Sequence, residues 1–159
     1  MMDVQLRPIE TNDAAFLHSL MNHPALMERL HQPPTNLTDW QEAIQLWHSD
    51  PDEEGYIITT GSEPVGWFAV NGLCSDLPYI KMAVLLPEYQ VQGIGRRMID
   101  QLCGQLHSQG YSAVRLFTDQ DNLRAQRCYQ RSGFRIIDTL EEPWPDGSIL
   151  LRCEMEKVF

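Results

Sequence analysis

The chain has 159 residues, of which 43% are hydrophobic and 21% charged, and its formal net charge is −10. This length allows one well-buried core, so we expect one domain over residues 1–159. The excess of carboxylates argues against a nucleic-acid-binding protein, which needs lysine and arginine to neutralise phosphates. No apolar run is long enough to span a bilayer, and no basic-then-apolar pattern opens the chain, so we expect neither a membrane anchor nor a secretory signal.

The cysteines and histidines show no pattern of a metal site. The four cysteines are widely scattered without a C-x-x-C pair, which favours reduced thiols in a cytoplasmic protein, and the histidines lack metal-ligand spacing, so we expect no metal. The arginines, in contrast, are concentrated. Residues 86–135 carry seven arginines and four carboxylates, whereas the remainder of the chain has five basic and eighteen acidic side chains. This distribution predicts an anion near the middle of the chain, unless the arginines only form solvated helix faces.

The first fifty residues predict one strand and two helical stretches. Residues 4–9 alternate apolar and polar side chains, as a strand does. Residues 11–13 offer N-cap oxygens to a helix that is interrupted at Pro24. Thr38 and Gln41 have capping-box spacing and open a second helix. Its Trp40, Ile44 and Trp47 fall on one face, which we interpret as core rather than a ligand site.

The remaining residues alternate between strand and helix patterns. Residues 56–60 and 65–70 predict a hairpin, and residues 79–86 predict a further strand. A helix follows from Gly93 to Gly110, then a strand over 112–117, a helix from Asn122 to Gly133, and strands over 134–139 and 148–155. This order predicts a mixed sheet with helices on its faces, in the α/β or α+β class.

Residues 79–98 combine an apolar strand, a glycine-bearing loop and the start of a helix. The unpaired N–H groups and the positive end of the helix dipole predict a site for phosphate. A dinucleotide-binding fingerprint would need a third glycine where Met98 stands, and the chain has no P-loop motif. Gly93 and Gly95 alone are also compatible with an ordinary turn between a strand and a helix that has no binding role.

A second sequence motif, downstream of this loop, favours one kind of phosphate-bearing ligand. The segment Gln90–Gly95 (QVQGIG) resembles the [Q/R]-x-x-G-x-[G/A] loop of the GNAT superfamily of N-acetyltransferases. Residues 122–134 (NLRAQRCYQRSGF) are similar to that family's N-x-x-A-x-x-x-Y-x-x-x-G-F segment, at a fitting separation. The resemblance implies a mostly antiparallel sheet of about seven strands with about four helices. It also implies a direct, ternary-complex transfer of acetyl from acetyl-CoA (coenzyme A) to a primary amine of a small molecule or peptide, and leaves a homodimer possible.

The resemblance also implies a set of site residues. Acetyl-CoA would lie in a V-shaped opening between the strands at 79–86 and 112–117, and Tyr129 would face the thioester sulfur as the proton donor. Asn122 would contact the pantetheine arm while serving as an N-cap. Val91 departs from the family pattern, which often has glycine there. The other implied contacts are backbone groups: Ala83, Val84 and Leu85 beside the pantetheine, and Val91, Gln92, Gly93, Ile94, Gly95 and Arg96 around the pyrophosphate.

The chemistry of thioester aminolysis is consistent with these assignments. A tyrosine, with a pKa of about 10, is protonated at neutral pH and can donate to a leaving thiolate. A backbone N–H in the opened strand, such as that of Val84, is a candidate donor to the thioester carbonyl. The general base is left open, because Phe117 stands where some family members have a carboxylate. Three carboxylates occur nearby in the sequence: Asp76, Glu88 and Asp119.

The acceptor is less constrained by sequence. The loop between the last two strands contains Trp144, two flanking prolines and the carboxylates of Glu141, Glu142 and Asp146. This group is a candidate site for an ammonium ion, or else an exposed acidic turn. A different class of function also remains open, a non-catalytic acyl-CoA-binding module that reports cofactor level to a partner.

Overall fold

The computed structural model describes residues 3–30, 34–90 and 92–159, which form one seven-stranded sheet flanked by helices. The strand order is β1-β2-β3-β4-β5-β7-β6, and every neighbouring pair except β4–β5 is antiparallel. The predicted mixed, mostly antiparallel sheet is therefore confirmed. The strands are β1 Val4–Pro8, β2 Glu54–Thr60, β3 Glu63–Asn71, β4 Tyr79–Leu85, β5 Ala113–Asp119, β6 Arg135–Pro143 and β7 Ile149–Val158.

Five α-helices lie in the described ranges, where the sequence predicted about four. Pro24 is the reason for the difference, because it ends one helix and opens a separate one. The second helical stretch begins slightly earlier than predicted: the Asn36 side chain, not that of Thr38, accepts from the backbone N–H of Asp39 at 2.8 Å. The helices are α1 Ala14–Met21, α2 Pro24–Leu30, α3 Leu37–Ser49, α4 Ile94–Ser108 and α5 Leu123–Arg131.

The helices bury both faces of the sheet. On one face, the apolar side of α4, which includes Ile99 and Leu102, packs with Phe68 of β3 and Met155 of β7. On the other face, α1 and α3 pack against β2 and β3. Trp40 and Ile44 are buried there, which confirms that the tryptophan stripe belongs to the core. None of the helices in the described part of the chain is long and apolar enough to cross a membrane.

The parallel pair β4–β5 is the point at which the sheet opens. Its register pairs Tyr79 with Arg115 and Ile80 with Leu116. Beyond these pairs, β4 stays on β3 as far as Leu85, while β5 follows β7 as far as Asp119. A register shift opposite Ala69 and Val70 leaves Lys81 as an extra residue in β4, and such a bulge increases the local twist. The two strands consequently diverge towards their carboxyl ends.

Candidate active site

A cleft of about 620 Å³ occupies the space between the diverging strands. Ala83, Val84 and Leu85 of β4 line one wall. Thr118 and Asp119 of β5 line the other. Two helices complete the lining of the cleft. Helix α4 contributes Gly95 and Met98, and α5 contributes its N-cap Asn122 together with Ala125, Cys128 and Tyr129. The cleft thus brings residues of both sequence motifs together.

The free edge of β4 presents backbone groups of alternate residues to this cleft. Leu86 donates its N–H to the carbonyl of Val65 in β3 at 2.9 Å, and hydrogen-bonded pairs alternate along an antiparallel ladder. In the observed register, Val84 is therefore bonded to Trp67 of β3, and the polar groups of Ala83 and Leu85 face away from β3. The side chain of Gln90 donates to the Leu85 carbonyl at 2.9 Å, which agrees with this assignment.

This alternation corrects one detail of the sequence-based interpretation. The N–H of Val84 points towards β3, so it is not a donor into the cleft, although the residue lines it. The N–H groups on the cleft side belong to Ala83 and Leu85, one residue to each side.

The N-terminus of α4 reaches the cleft through a sharp turn. Gly93 is the N-cap and has a φ of 73°, a left-handed conformation that is unfavourable for residues with a Cβ atom. Arg97 donates to the carbonyl of Gly93 at 3.3 Å, so the N–H groups of Ile94, Gly95 and Arg96 precede the first bond of the helix. These amides lie where the sequence predicts an anion site. Of the loop before them, Val91 lies outside the described residues.

Gly95 has no packing reason to be a glycine. It is in helical conformation, and a Cβ built on it would lie 3.4 Å from Cys128 Sγ, an ordinary contact. Alanine at this position would favour the helix, because glycine is the poorer helix former. The missing side chain leaves space in the cleft next to the helix amides, which is what a bound phosphate group requires.

Asn122 begins α5 and is its N-cap. Its side-chain oxygen accepts the backbone N–H of Ala125 at 3.2 Å, and the residue also lines the cleft. The sequence had not singled out the buried Gln126, whose Nε2 donates to the carbonyls of both Asp119 and Gln120 at 2.9 Å. Gln126 therefore ties the end of β5 to the first turn of α5 and fixes the direction of that helix.

Tyr129 is partly buried on the cleft side of α5. Its ring lies 5.8 Å from that of Phe134, and it packs against the core under α4. Burial raises the pKa of its hydroxyl, and the neighbouring Cys128 acts in the same direction. Burial likewise raises the pKa of the Cys128 thiol, even though Arg131 and Arg96 lower it. Both groups consequently keep their protons at neutral pH.

The three carboxylates considered as bases are differently placed. Asp119 lines the cleft, and its Oδ1 lies 3.4 Å from Nε of Arg152. Glu88 and Asp76 are exposed, the first in the turn after β4 and the second in the loop before that strand. Asp119 is therefore the one of the three that the fold brings to the site.

The loop between β6 and β7 delivers Trp144 to the cleft, but its carboxylates are engaged elsewhere. Glu142 lies 3.3 Å from Nη1 of Arg152, and Asp146 accepts from the backbone and side chain of Ser148. Glu141 is exposed. Two of the three carboxylates that the sequence suggested as a site for an ammonium ion are thus bound to other groups. Within the described ranges, no group of three or more histidine, cysteine or acidic side chains is arranged to hold a metal ion.

Comparison with solved structures supports the fold. A spermidine N-acetyltransferase from Vibrio cholerae in complex with CoA and spermine superimposes with a TM-score of 0.87 at 19% identity, over 98% of this chain and 95% of the other. The aminoglycoside acetyltransferase AAC(6′)-Ib with coenzyme A gives a TM-score of 0.80 at 23% identity, over 98% and 95% of the two chains. At these identities the likeness concerns the fold.

Sequence comparison identifies the family. A stretch of 64 residues is 36% identical to a [ribosomal protein bS18]-alanine N-acetyltransferase of Haemophilus ducreyi, and it covers 39% of this chain and 44% of that relative. The match thus spans less than half of the curated protein. The model of the acetyltransferase (GNAT) family matches residues 15–134, which include both motifs and the whole of the cleft except its β7 and Trp144 side. The chain belongs to the acetyltransferase (GNAT) family.

Proposed function

We infer that residues 1–159 form one acetyl-CoA-dependent N-acetyltransferase domain, which transfers acetyl directly to a primary amine of a small molecule or peptide. The observation that carries this proposal is the cleft itself, which is lined by the free edge of a strand, the N-terminus of a helix and the residue Tyr129. Each of the three serves a different part of an acyl-CoA. Their convergence distinguishes this site from a simple strand–helix junction.

The backbone supports binding of the donor. The cleft-side groups of Ala83 and Leu85 can pair with an extended amide-bearing arm in the way that an added strand does. The amides of Ile94, Gly95 and Arg96 offer hydrogen bonds to a pyrophosphate at the positive end of the α4 dipole. Gln92 and Gly93 precede them in the loop, and the Asn122 amide is proposed to contact the pantetheine arm. Acetyl-CoA would supply an acetyl group activated as a thioester.

Tyr129 is proposed as the general acid. Its raised pKa keeps a proton on Oη at neutral pH, ready for a leaving thiolate. General acid catalysis of this kind typically contributes about 10²–10⁴ in rate.

Direct transfer is favoured over an acetylated enzyme by the state of the cysteine in the cleft. Cys128 lines the cleft beside Tyr129, but its raised pKa disfavours the thiolate form that a covalent mechanism would use. The amine is therefore proposed to bind together with the donor, and both would be present at once.

A primary amine as acceptor is consistent with the relatives. The curated relative that matches part of this chain is named as an N-acetyltransferase of an alanine in a ribosomal protein. The structural neighbours are named as acetyltransferases of spermidine and of aminoglycosides, and all of these acceptors carry amines. These names extend to this chain only as a proposal, because the sequence match is partial and the structural likeness concerns the fold.

The experiment that tests the proposal measures thiol release from acetyl-CoA across a panel of polyamines, aminoglycosides, amino acids and N-terminal peptides. We expect release that depends on at least one amine, with the acetylated amine identified by mass spectrometry. Acetyl-CoA binding by calorimetry without release for any amine would contradict catalysis and would favour the alternative, a non-catalytic acyl-CoA-binding module.

A further inference from the structure

A second cavity opens from the side of the cleft, on the face of the sheet that carries Phe117. It measures about 390 Å³, within the usual range for small-ligand sites. It adjoins the cleft, because four of its lining residues also line the cleft. Among the described residues six line this side lobe: Asn71, Tyr79, Ile80, Lys81, Phe117 and Arg152.

The centre of the side lobe is a flat aromatic surface. The rings of Tyr79 and Phe117 stack with their centroids 5.7 Å apart and an interplanar angle of 8°. Phe117 is 41% exposed, which is unusual for so large an apolar side chain in the middle of a sheet. This surface is suited to a planar or apolar substituent, which would bury the exposed ring.

A cation stands on each side of this surface. Lys81, the extra residue of the β4 bulge, is on one strand next to β5, and Arg152 is on β7, the other neighbour of β5. The Lys81 side chain is 50% exposed, and its Nζ lies 3.4 Å from Glu53. Both residues belong to strands, so the sheet sets the separation of their backbone positions.

Arg152 retains capacity to donate hydrogen bonds. Its guanidinium lies 3.4 Å from Asp119 and 3.3 Å from Glu142. Its Nε, the atom nearest Asp119, is buried and out of reach of a ligand, which leaves the N–H groups of Nη1 and Nη2 as the donors to a ligand. A guanidinium has five N–H donors in a planar fork that matches a carboxylate.

The side lobe therefore has the chemistry of a carboxylate site. None of its six described lining residues is acidic, and the carboxylates near it already have partners. Glu53 contacts Lys81, and Asp119 and Glu142 contact Arg152. Glu154, which lies opposite Phe117 on β7, accepts from the Tyr79 hydroxyl at 3.5 Å and lies 3.7 Å from Arg115. Binding of a further carboxylate therefore depends on the N–H donors of Lys81 and Arg152 that these contacts do not use. Lys81 and Arg152 line the lobe directly.

We propose that the acceptor is an amine that also carries a carboxylate and a flat apolar group, as a free aromatic amino acid does. The carboxylate binds between Lys81 and Arg152, and the apolar group rests on Phe117. The amine then enters the shared part of the cleft. This inference rests on the proposed function, because it assigns the acceptor of that reaction.

The test uses acceptors that differ only in the carboxylate. Phenylalanine and phenethylamine, and histidine and histamine, are compared in the thiol-release assay with saturating acetyl-CoA. We expect kcat/KM to be at least 10-fold higher for each amino acid than for its decarboxylated partner. Lys81→Met, which keeps the aliphatic stem, should raise KM for phenylalanine about 10-fold with little change in kcat. The same variant should lower kcat/KM much less for phenethylamine than for phenylalanine.

Lys157→Met is the matched control, because Lys157 lies on β7 beside Gly133 and does not line the side lobe. It should leave all four acceptors unaffected. Equal or better use of the decarboxylated amines, or an equal effect of Lys81→Met on both members of a pair, would overturn the carboxylate assignment and leave the proposed function standing. Thiol release with none of the amines in the wider panel would instead refute the proposed function, and this inference with it.

Discussion

Replacement of Gly95 by alanine should separate donor binding from fold stability. Gly95 is the second residue of α4, and outside its own helix the Cβ of an alanine would meet, among the described residues, Cys128 Sγ at 3.4 Å. The substitution should therefore not destabilise the fold, and a Gly→Ala change in a helix can add about 0.5–1 kcal/mol. In a domain of this size that gain corresponds to a Tm increase of about 1–4 °C.

The same methyl group would occupy the space that we assign to a pyrophosphate. Filling a close-packed contact typically costs about 1–3 kcal/mol. A value of about 2 kcal/mol corresponds to roughly a 30-fold increase in the Kd for acetyl-CoA. Thermal unfolding and titration calorimetry on one preparation would measure both effects, which are expected to have opposite signs.

Gly104→Ala is the matched control. Gly104 is exposed in the interior of the same helix, and a Cβ there meets no atom within 4 Å from the rest of the described chain outside that helix. It should gain stability by a similar amount, about 0.5–1 kcal/mol, and keep the wild-type Kd. If Gly95→Ala also bound acetyl-CoA with the wild-type Kd, the N-terminus of α4 would not be the phosphate site.

Three further outcomes are expected. Tyr129→Phe should lower kcat about 100-fold with an unchanged Kd for acetyl-CoA, whereas Tyr111→Phe, which removes a hydrogen bond to a loop carbonyl, should leave kcat intact. Asn122→Ala should cost about 1 kcal/mol through loss of the N-cap; Asn122→Ser should recover that stability, and donor affinity lost in both variants would identify an amide contact. Burial raises the pKa of Asp13, but hydrogen bonds from Arg7 and the Glu10 N–H outweigh it and leave the pKa lowered. The pair should therefore add stability above about pH 4 and lose it on acidification, a dependence that urea denaturation of Asp13→Asn should lack.

The donor side of the site was predictable because its signals are local. A glycine-bearing helix start and an N-cap followed by a tyrosine depend on residues close in sequence, and their separation fits one strand between two helices. The structure brings Gly95, Asn122 and Tyr129 to one cleft. The sequence could not show which backbone amides of β4 face the cleft, because this depends on the register of β4 with β3. In the observed register the amides of Ala83 and Leu85 face the cleft, and that of Val84 does not.

The acceptor side has no comparable local signal. Lys81, Phe117 and Arg152 come from three strands that are neighbours only in the folded sheet, and the β4 bulge that displaces Lys81 has no marker in the sequence. The sequence offered the acidic loop around Trp144 either as an ammonium site or as an exposed turn. In the structure, Glu142 pairs with Arg152, and Asp146 accepts a hydrogen bond from Ser148 within the loop. A cluster of charged residues in the sequence can thus suggest a binding pocket, although in the folded protein those residues pair with other groups.

The central claim is direct acetyl transfer in the cleft between β4 and β5, and initial velocities test it most directly. Thiol release would be measured with acetyl-CoA varied at several fixed concentrations of an amine taken from the panel. Binding of both substrates before transfer predicts intersecting lines in double-reciprocal plots and no acetyl group on the protein. Parallel lines with an acetylated enzyme, the pattern of a covalent mechanism, would contradict the account, as would release that does not depend on the amine.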